Sequence, residues 1–174
     1  MDKPVKAFLG VVLILGFLST AFAQDSWYYH LRNQNWLSRI RRIDVLSSSV
    51  TDVERILGKP ERFEFSMAEF VKYYPTNAGR ISITYTTVGC LVNNGKDVPK
   101  NLVEEVTLAP VDKITLLNLK LPLSDFNETH EEDAPSIGIY KNERNGVTIV
   151  VQNEYVSSIS FSPPSNLHYV CSDR

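Results

Sequence analysis

The residues best equipped for chemistry are few. His130-Glu131-Glu132-Asp133 is the one stretch where an imidazole and several carboxylates crowd together, and such ligands suit a divalent ion. Consecutive residues do not converge on one centre unless the loop folds round it, so the stretch reads as ordinary acidic surface. The other histidines, His30 and His168, stand far away in sequence. No GxSxG elbow, HExxH helix, GxxxxGK phosphate loop or GxGxxG turn occurs. The expectation is therefore a chain with no catalytic residue, no cofactor and no metal site, leaning away from an enzyme.

Cys90 and Cys171 are the only thiols. Their chemistry depends on compartment, and the N-terminus supplies one. Met1–Ala23 has Lys3 and Lys6, an apolar run from Ala7 to Leu18, and the small-x-small ending Ala21-Phe22-Ala23. That is the pattern of a secretory signal peptide cleaved after Ala23. A retained membrane anchor needs about 20 apolar residues, and Gln24 stands where a lipidated protein would have Cys. The expected location is secreted or periplasmic, without stable membrane insertion after cleavage. In an oxidising compartment the economical reading is a Cys90 to Cys171 disulfide, closing a loop worth up to about 4 kcal/mol on the chain-entropy model. A reactive or metal-binding thiol pair would want CxxC spacing or a nearby histidine.

With 18 Lys and Arg against 20 Asp and Glu, the formal net charge is -2. A nucleic-acid partner would show as a basic excess or stripe, so none is expected. The small cluster Arg39, Arg41 and Arg42 beside Trp36 reads as a solvated face.

The elements that would position any site start at Ser47–Pro60. Thr51 as N-cap with Glu54 three residues on, Val53, Ile56 and Leu57 on one face, then Gly58 and Pro60, predict a short helix over Asp52–Leu57. It is too short to stand alone and must dock on a sheet. Ahead of it, residues 24–46 form a lead-in: Trp36, Ile40 and Ile43 have helical spacing, while Trp27 and Leu31 would lie on another face.

Beyond Pro60 the texture is that of strands. Phe63 and Phe65, Phe70–Tyr74, Ile81–Tyr85 and Leu102–Leu108 predict an antiparallel meander, with Pro75–Gly79 as a turn and Cys90–Lys100 as a loop. Ile114–Leu121 suits a buried strand or a short helix. Asp125–Asp133 reads as a surface loop containing the sequon Asn127-Glu128-Thr129. Asn145-Gly146 and Asn153-Glu154 then join Ile137–Lys141, Val147–Val151 and Tyr155–Phe161 as hairpins. Residues 47–174 thus predict an α+β domain, one or two short helices packed on an antiparallel sheet. The expected core is Val53, Ile56, Leu57, Ile81, Ile83, Val106, Val147, Ile149, Val151 and Ile159. Of Tyr73, Tyr74, Tyr85, Tyr140 and Tyr155, those on an open sheet face would make an amphipathic recognition platform.

Ser49, Asp52-Val53 and Leu57-Gly58-Lys59-Pro60, with sheet after them, follow the pattern G-x-T/S-x-x-D/Q-V-x-x-x-L-G-x-P. In this the chain resembles small extracytoplasmic α+β modules, the outer-membrane assembly lipoproteins of the BamE (SmpA/OmlA) type and the related β-lactamase inhibitor protein fold. Ser47 departs from the pattern's Gly, and the lipidated Cys of the BamE type is missing. With its central and C-terminal Cys, the fuller pattern is similar to secreted bacterial proteins of unassigned role. The resemblance implies a helical layer on an antiparallel sheet, and a binding or envelope-assembly role toward another extracytoplasmic protein. The alternative is a small-ligand binder or small enzyme with its site in the sheet concavity near residues 125–133.

Overall fold

The computed structural model describes residues 39–66, 69–92, 97–131, 133–167 and 169–171. The expected signal peptide Met1–Ala23, and with it Trp27, His30, Leu31, Trp36 and His168, lies outside the described residues.

Helix α1 runs over Val50–Leu57. Its N-cap is Ser49 and not Thr51. The Ser49 Oγ accepts the Asp52 N–H at 3.3 Å and the Asp52 carboxylate accepts the Ser49 N–H at 3.0 Å, a reciprocal box two residues earlier than expected. The reason is tertiary. Ser49 bridges to Leu102 as a strand would, which holds it extended and makes it the last residue before the helical turn. Glu54, released from capping, reaches instead to Lys72 Nζ at 2.6 Å. Val53 and Leu57 are buried, Ile56 is half-buried, and Gly58 closes the helix at φ 90° with its N–H donated to Glu54 O.

The strands are β1 (Arg62–Phe65), β2 (Phe70–Thr76), β3 (Gly79–Tyr85), β4 (Cys90–Val92), β5 (Asp97–Val98), β6 (Val103–Pro110), β7 (Asn127–Glu131), β8 (Ala134–Asn142), β9 (Val147–Gln152), β10 (Tyr155–Phe161) and β11 (Tyr169–Cys171). Eight of them form one antiparallel sheet in the order β1-β2-β3-β6-β10-β9-β8-β7. The other three, β11-β4-β5, form a small second sheet. Two meanders therefore meet at β6 and β10. Between them the chain crosses from the middle of the sheet to its far edge through 3-10 turns at Leu116–Leu119 and Leu123–Asp125, burying Leu119 and Phe126. The Leu-rich stretch is this crossover.

Alternation assigns the two faces. Ile81, Ile83 and Tyr85 of β3, Val106 and Leu108 of β6, Val147 and Ile149 of β9 and Ile159 and Phe161 of β10 are buried under α1, the crossover, and Ile40 and Ile43. The opposite face of the same strands carries Ser82, Thr84, Thr107, Thr148 and Ser160 and is open, as suits an antiparallel sheet solvated on one side. Of the expected core, Ile56 and Val151 are half-buried against the cluster and the remainder are buried.

The expected α+β class is overturned. Among the described residues there is one α-helix, of eight residues, against an eight-stranded sheet, and the domain is predominantly β. Two stretches expected as loops are strands. Asp125–Asp133 contains β7, an edge strand whose polar composition hides it because neither face needs to be apolar. Cys90–Lys100 contains β4 and β5, too short to show a period and held by pairing with the distant β11. The Pro75–Gly79 turn shrinks to Asn77-Ala78, with Pro75 inside β2. Proline is tolerated there because β1 ends opposite Tyr73, so the missing N–H interrupts no ladder.

Candidate functional site

The acidic segment falls on the hairpin of β7 and β8. Tyr140 donates its hydroxyl to Glu128 Oε1 at 2.6 Å, and His130 Nε2 lies 3.4 Å from the same oxygen. The Glu128 carboxylate first, then burial, pushes the Tyr140 phenol above its ordinary range. His130 and Tyr140 fold over Gly138, whose missing side chain leaves them the room. Asn127, Glu128, Thr129 and His130 are exposed along the outermost strand of the sheet. Among the described residues no group of three or more His, Cys, Asp or Glu is placed to hold a metal ion.

Cys90 and Cys171 face one another across β4 and β11 and are joined in a disulfide spanning 81 residues. The pair closes the small sheet, whose own core is Leu46, Cys90, Val92 and Val98. A depression of about 130 Å³ beside Lys141, Gly146 and Ser162 and one of about 250 Å³ beside Cys90 and Pro99 are below the roughly 300–1,000 Å³ usual for small-molecule sites.

The five strand tyrosines do not make a platform. Tyr74 and Tyr85 are fully buried with their hydroxyls 3.3 Å apart, and Tyr140 packs on the core. Burial is the main cause that raises both buried phenols above the usual range, Tyr85 by far the more. Tyr73 and Tyr155 reach the open face but are separated by β3 and β6. What crosses that face is a register-matched polar row, Tyr73, Ser82, Thr107, Ser160, Thr148 and Lys141. Thr107 and Ser160 share a hydroxyl hydrogen bond at 2.7 Å and Thr107 donates to Glu105 at 2.7 Å, so the centre of the row is spent on internal partners.

The opposite edge, β1, is different. All four of its residues are exposed, Phe63 to 66% and Phe65 to 73%. Register places Phe63 beside Lys72 and Phe65 beside Phe70 on the helix side, and Arg62 beside Tyr73 and Glu64 beside Val71 on the open side. Phe65 meets Phe70 edge-on at 5.8 Å, and Phe70 in turn lies 5.3 Å from the buried Tyr85, so the exposed rings continue the core outward. On the open side Arg62 stacks on Tyr73 at 4.4 Å and pairs with Glu64 at 3.0 Å, while Tyr73 donates to Glu64 at 3.0 Å. Among the described residues no strand pairs with the outer side of β1, so these rings stand in water at the sheet edge and form the candidate surface. Sequence alternation showed Phe63 and Phe65 as strand residues and could not show that α1 stops short of them.

No known protein family, no curated protein and no solved structure matches the chain. Among the described residues no helix is long and apolar enough to cross a membrane.

Proposed function

We propose that the protein is a secreted or periplasmic, non-catalytic domain that binds another protein through the β1 edge. The observation that carries this reading is the exposure of Phe63 and Phe65 on a strand that, among the described residues, has no partner on its outer side. Edge addition uses main-chain hydrogen bonds for affinity and side-chain pockets for choice, and an aromatic pair beside Phe70 supplies the apolar anchor such contacts need. The N-terminal pattern of Met1–Ala23 and the Cys90–Cys171 disulfide support an extracytoplasmic setting. The resemblance of Ser47–Pro60 to envelope assembly and inhibitor modules supports a binding role.

The test is capture from the native envelope fraction on immobilised wild-type protein and on a Phe63→Asp, Phe65→Ser variant. A partner held by the wild type and lost by the variant is the expected result. A partner held equally by both overturns the β1 assignment, and turnover of a substrate by the purified protein overturns the non-catalytic reading.

A further inference from the structure

The β1 edge carries enough information to name an occupant. Ser66 donates its N–H to Glu69 O at 2.7 Å, which fixes the phase of the β1–β2 ladder. Antiparallel pairs alternate between hydrogen-bonded and not. Register pairs Phe65 with Phe70, Glu64 with Val71, Phe63 with Lys72 and Arg62 with Tyr73. Arg62 and Glu64 therefore bond inward to β2, and the backbone N–H and C=O of Phe63 and Phe65 point outward. Any strand added to β1 must meet these groups.

We propose that the occupant is a second copy of this chain, paired antiparallel through β1 about a two-fold axis at Phe63. This rests on the reading of β1 as the binding edge and adds the partner. A self-paired strand places its axis at a residue: Arg62 at the centre would set two guanidiniums against each other, and Phe65 at the centre would pair Glu64 with Ser66 and leave Arg62 and Phe63 opposite no residue of β1. Centring on Glu64 sets two carboxylates against each other. Centring on Phe63 joins the two Phe63 residues by reciprocal main-chain bonds, with their rings side by side on the helix face. It also sets Arg62 of each copy opposite Glu64 of the other on the open face. Two opposite-charge cross-strand pairs then replace the repulsion. Edge strands usually limit self-pairing through charged side chains, proline or a very short length, and β1, at four residues, is short. Here the charges alternate, Arg62 then Glu64, and each matches its symmetry mate. The Tyr73 ring under Arg62 and the Tyr73 hydroxyl on Glu64 hold both side chains upright at the edge. Phe65 falls opposite Glu61 at the two outer ends, where the Glu61 N–H is already donated to Tyr73 O at 2.8 Å, so the main-chain contact there is left to the Phe65 N–H and the Glu61 carbonyl. The interface is isologous and closes at two, so it yields a dimer and not a fibre.

Sedimentation of the purified protein over a concentration series reads the proposal directly. The wild type is expected to pass from monomer to dimer as concentration rises. Arg62→Glu and Glu64→Arg each set like charges face to face twice and are expected to raise the dimer dissociation constant by about tenfold or more. Mixed one to one, the two variants should form a heterodimer. The double variant R62E/E64R should self-associate like the wild type, because both pairs are reversed together. A double variant that stays monomeric while the wild type dimerises overturns the Phe63-centred register. A wild type monomeric at every concentration overturns the dimer altogether. In that event, capture of a different protein that is lost on Phe63→Asp leaves the β1 edge as the binding surface, so the two readings fail separately. Circular dichroism of each variant confirms folding, which changes at exposed Arg62 and Glu64 should not disturb.

Discussion

Lys72 of β2 places its Nζ 2.6 Å from Glu54 Oε1 of α1, the one charged bond that ties the helix to the sheet margin among the ion pairs described. The Lys72 side chain is only 13% exposed, and its Nζ lies 5.5 Å from the centre of the Phe70 ring. A double-mutant cycle with Glu54→Gln and Lys72→Met should give a coupling of about 1 kcal/mol in urea unfolding, because the pair is partly shielded from water. The coupling should shrink in high salt. Zero coupling would show that α1 docks through Val53 and Leu57 alone.

Ser49→Ala removes the acceptor for the Asp52 N–H and should cost about 1 kcal/mol, whereas Thr51→Ala, at an exposed helical position, should stay within about 0.5 kcal/mol. The reverse order in denaturant midpoints would restore Thr51 as the cap.

The Ser49 side-chain and backbone hydrogen bonds hold the Asp52 carboxyl below its ordinary range. A depressed folded-state pKa contributes stability that is present above the unfolded value, about pH 4, and is lost as pH falls through the folded value. Asp52→Asn should therefore flatten the acid limb of the stability profile and leave the neutral region unchanged in shape. An unaltered acid limb would count against the reciprocal cap.

Tyr74 and Tyr85 share one buried hydroxyl contact, so either single change to Phe strands the other oxygen. Each single variant should lose about 1–3 kcal/mol, and the double variant less than their sum. Because burial raises both phenols in the folded state, their contribution is present below about pH 10 and is lost as pH rises through the folded values. Phenolate absorbance should then show two groups titrating only with unfolding. Two freely titrating groups at those positions would place the hydroxyls in water.

Reducing Cys90–Cys171, or replacing both with Ala, should lower stability by up to about 4 kcal/mol on the chain-entropy model and release β11 from β4. Amide exchange should rise first at Cys90–Val92. Alkylation followed by mass measurement should find no free thiol in protein purified without reductant; two free thiols would refute the bridge.

Local chemistry made the short helix within Ser47–Pro60, the strands at Ile81–Tyr85 and Val147–Val151, and the turn at Asn145-Gly146 readable before any fold was known. Caps, apolar spacing and turn residues act over a few positions, so they are written in adjacent letters. At Gly146 the local requirement is plain: φ is 63° and an added side chain would collide with the Ser162 carbonyl. The capping register was not local. Ser49 became the cap because Leu102, far along the chain, held it extended.

The sequence by itself determined which segments would be strands wherever one face had to be apolar, and which two thiols would find each other, since hydrophobic periodicity and a lone cysteine pair leave little choice. Tertiary structure alone decided what those elements leave uncovered. Phe63 and Phe65 alternate with charges just as Ile81 and Ile83 alternate with Ser82, yet β3 lies under α1 and β1 lies beyond it. Burial depends on what arrives from elsewhere in the chain, and α1, stopped after two turns by Gly58, does not reach the edge. Polar β7 and the short strands β4 and β5 were hidden for the same reason, because pairing with a distant strand makes them strands without any period of their own.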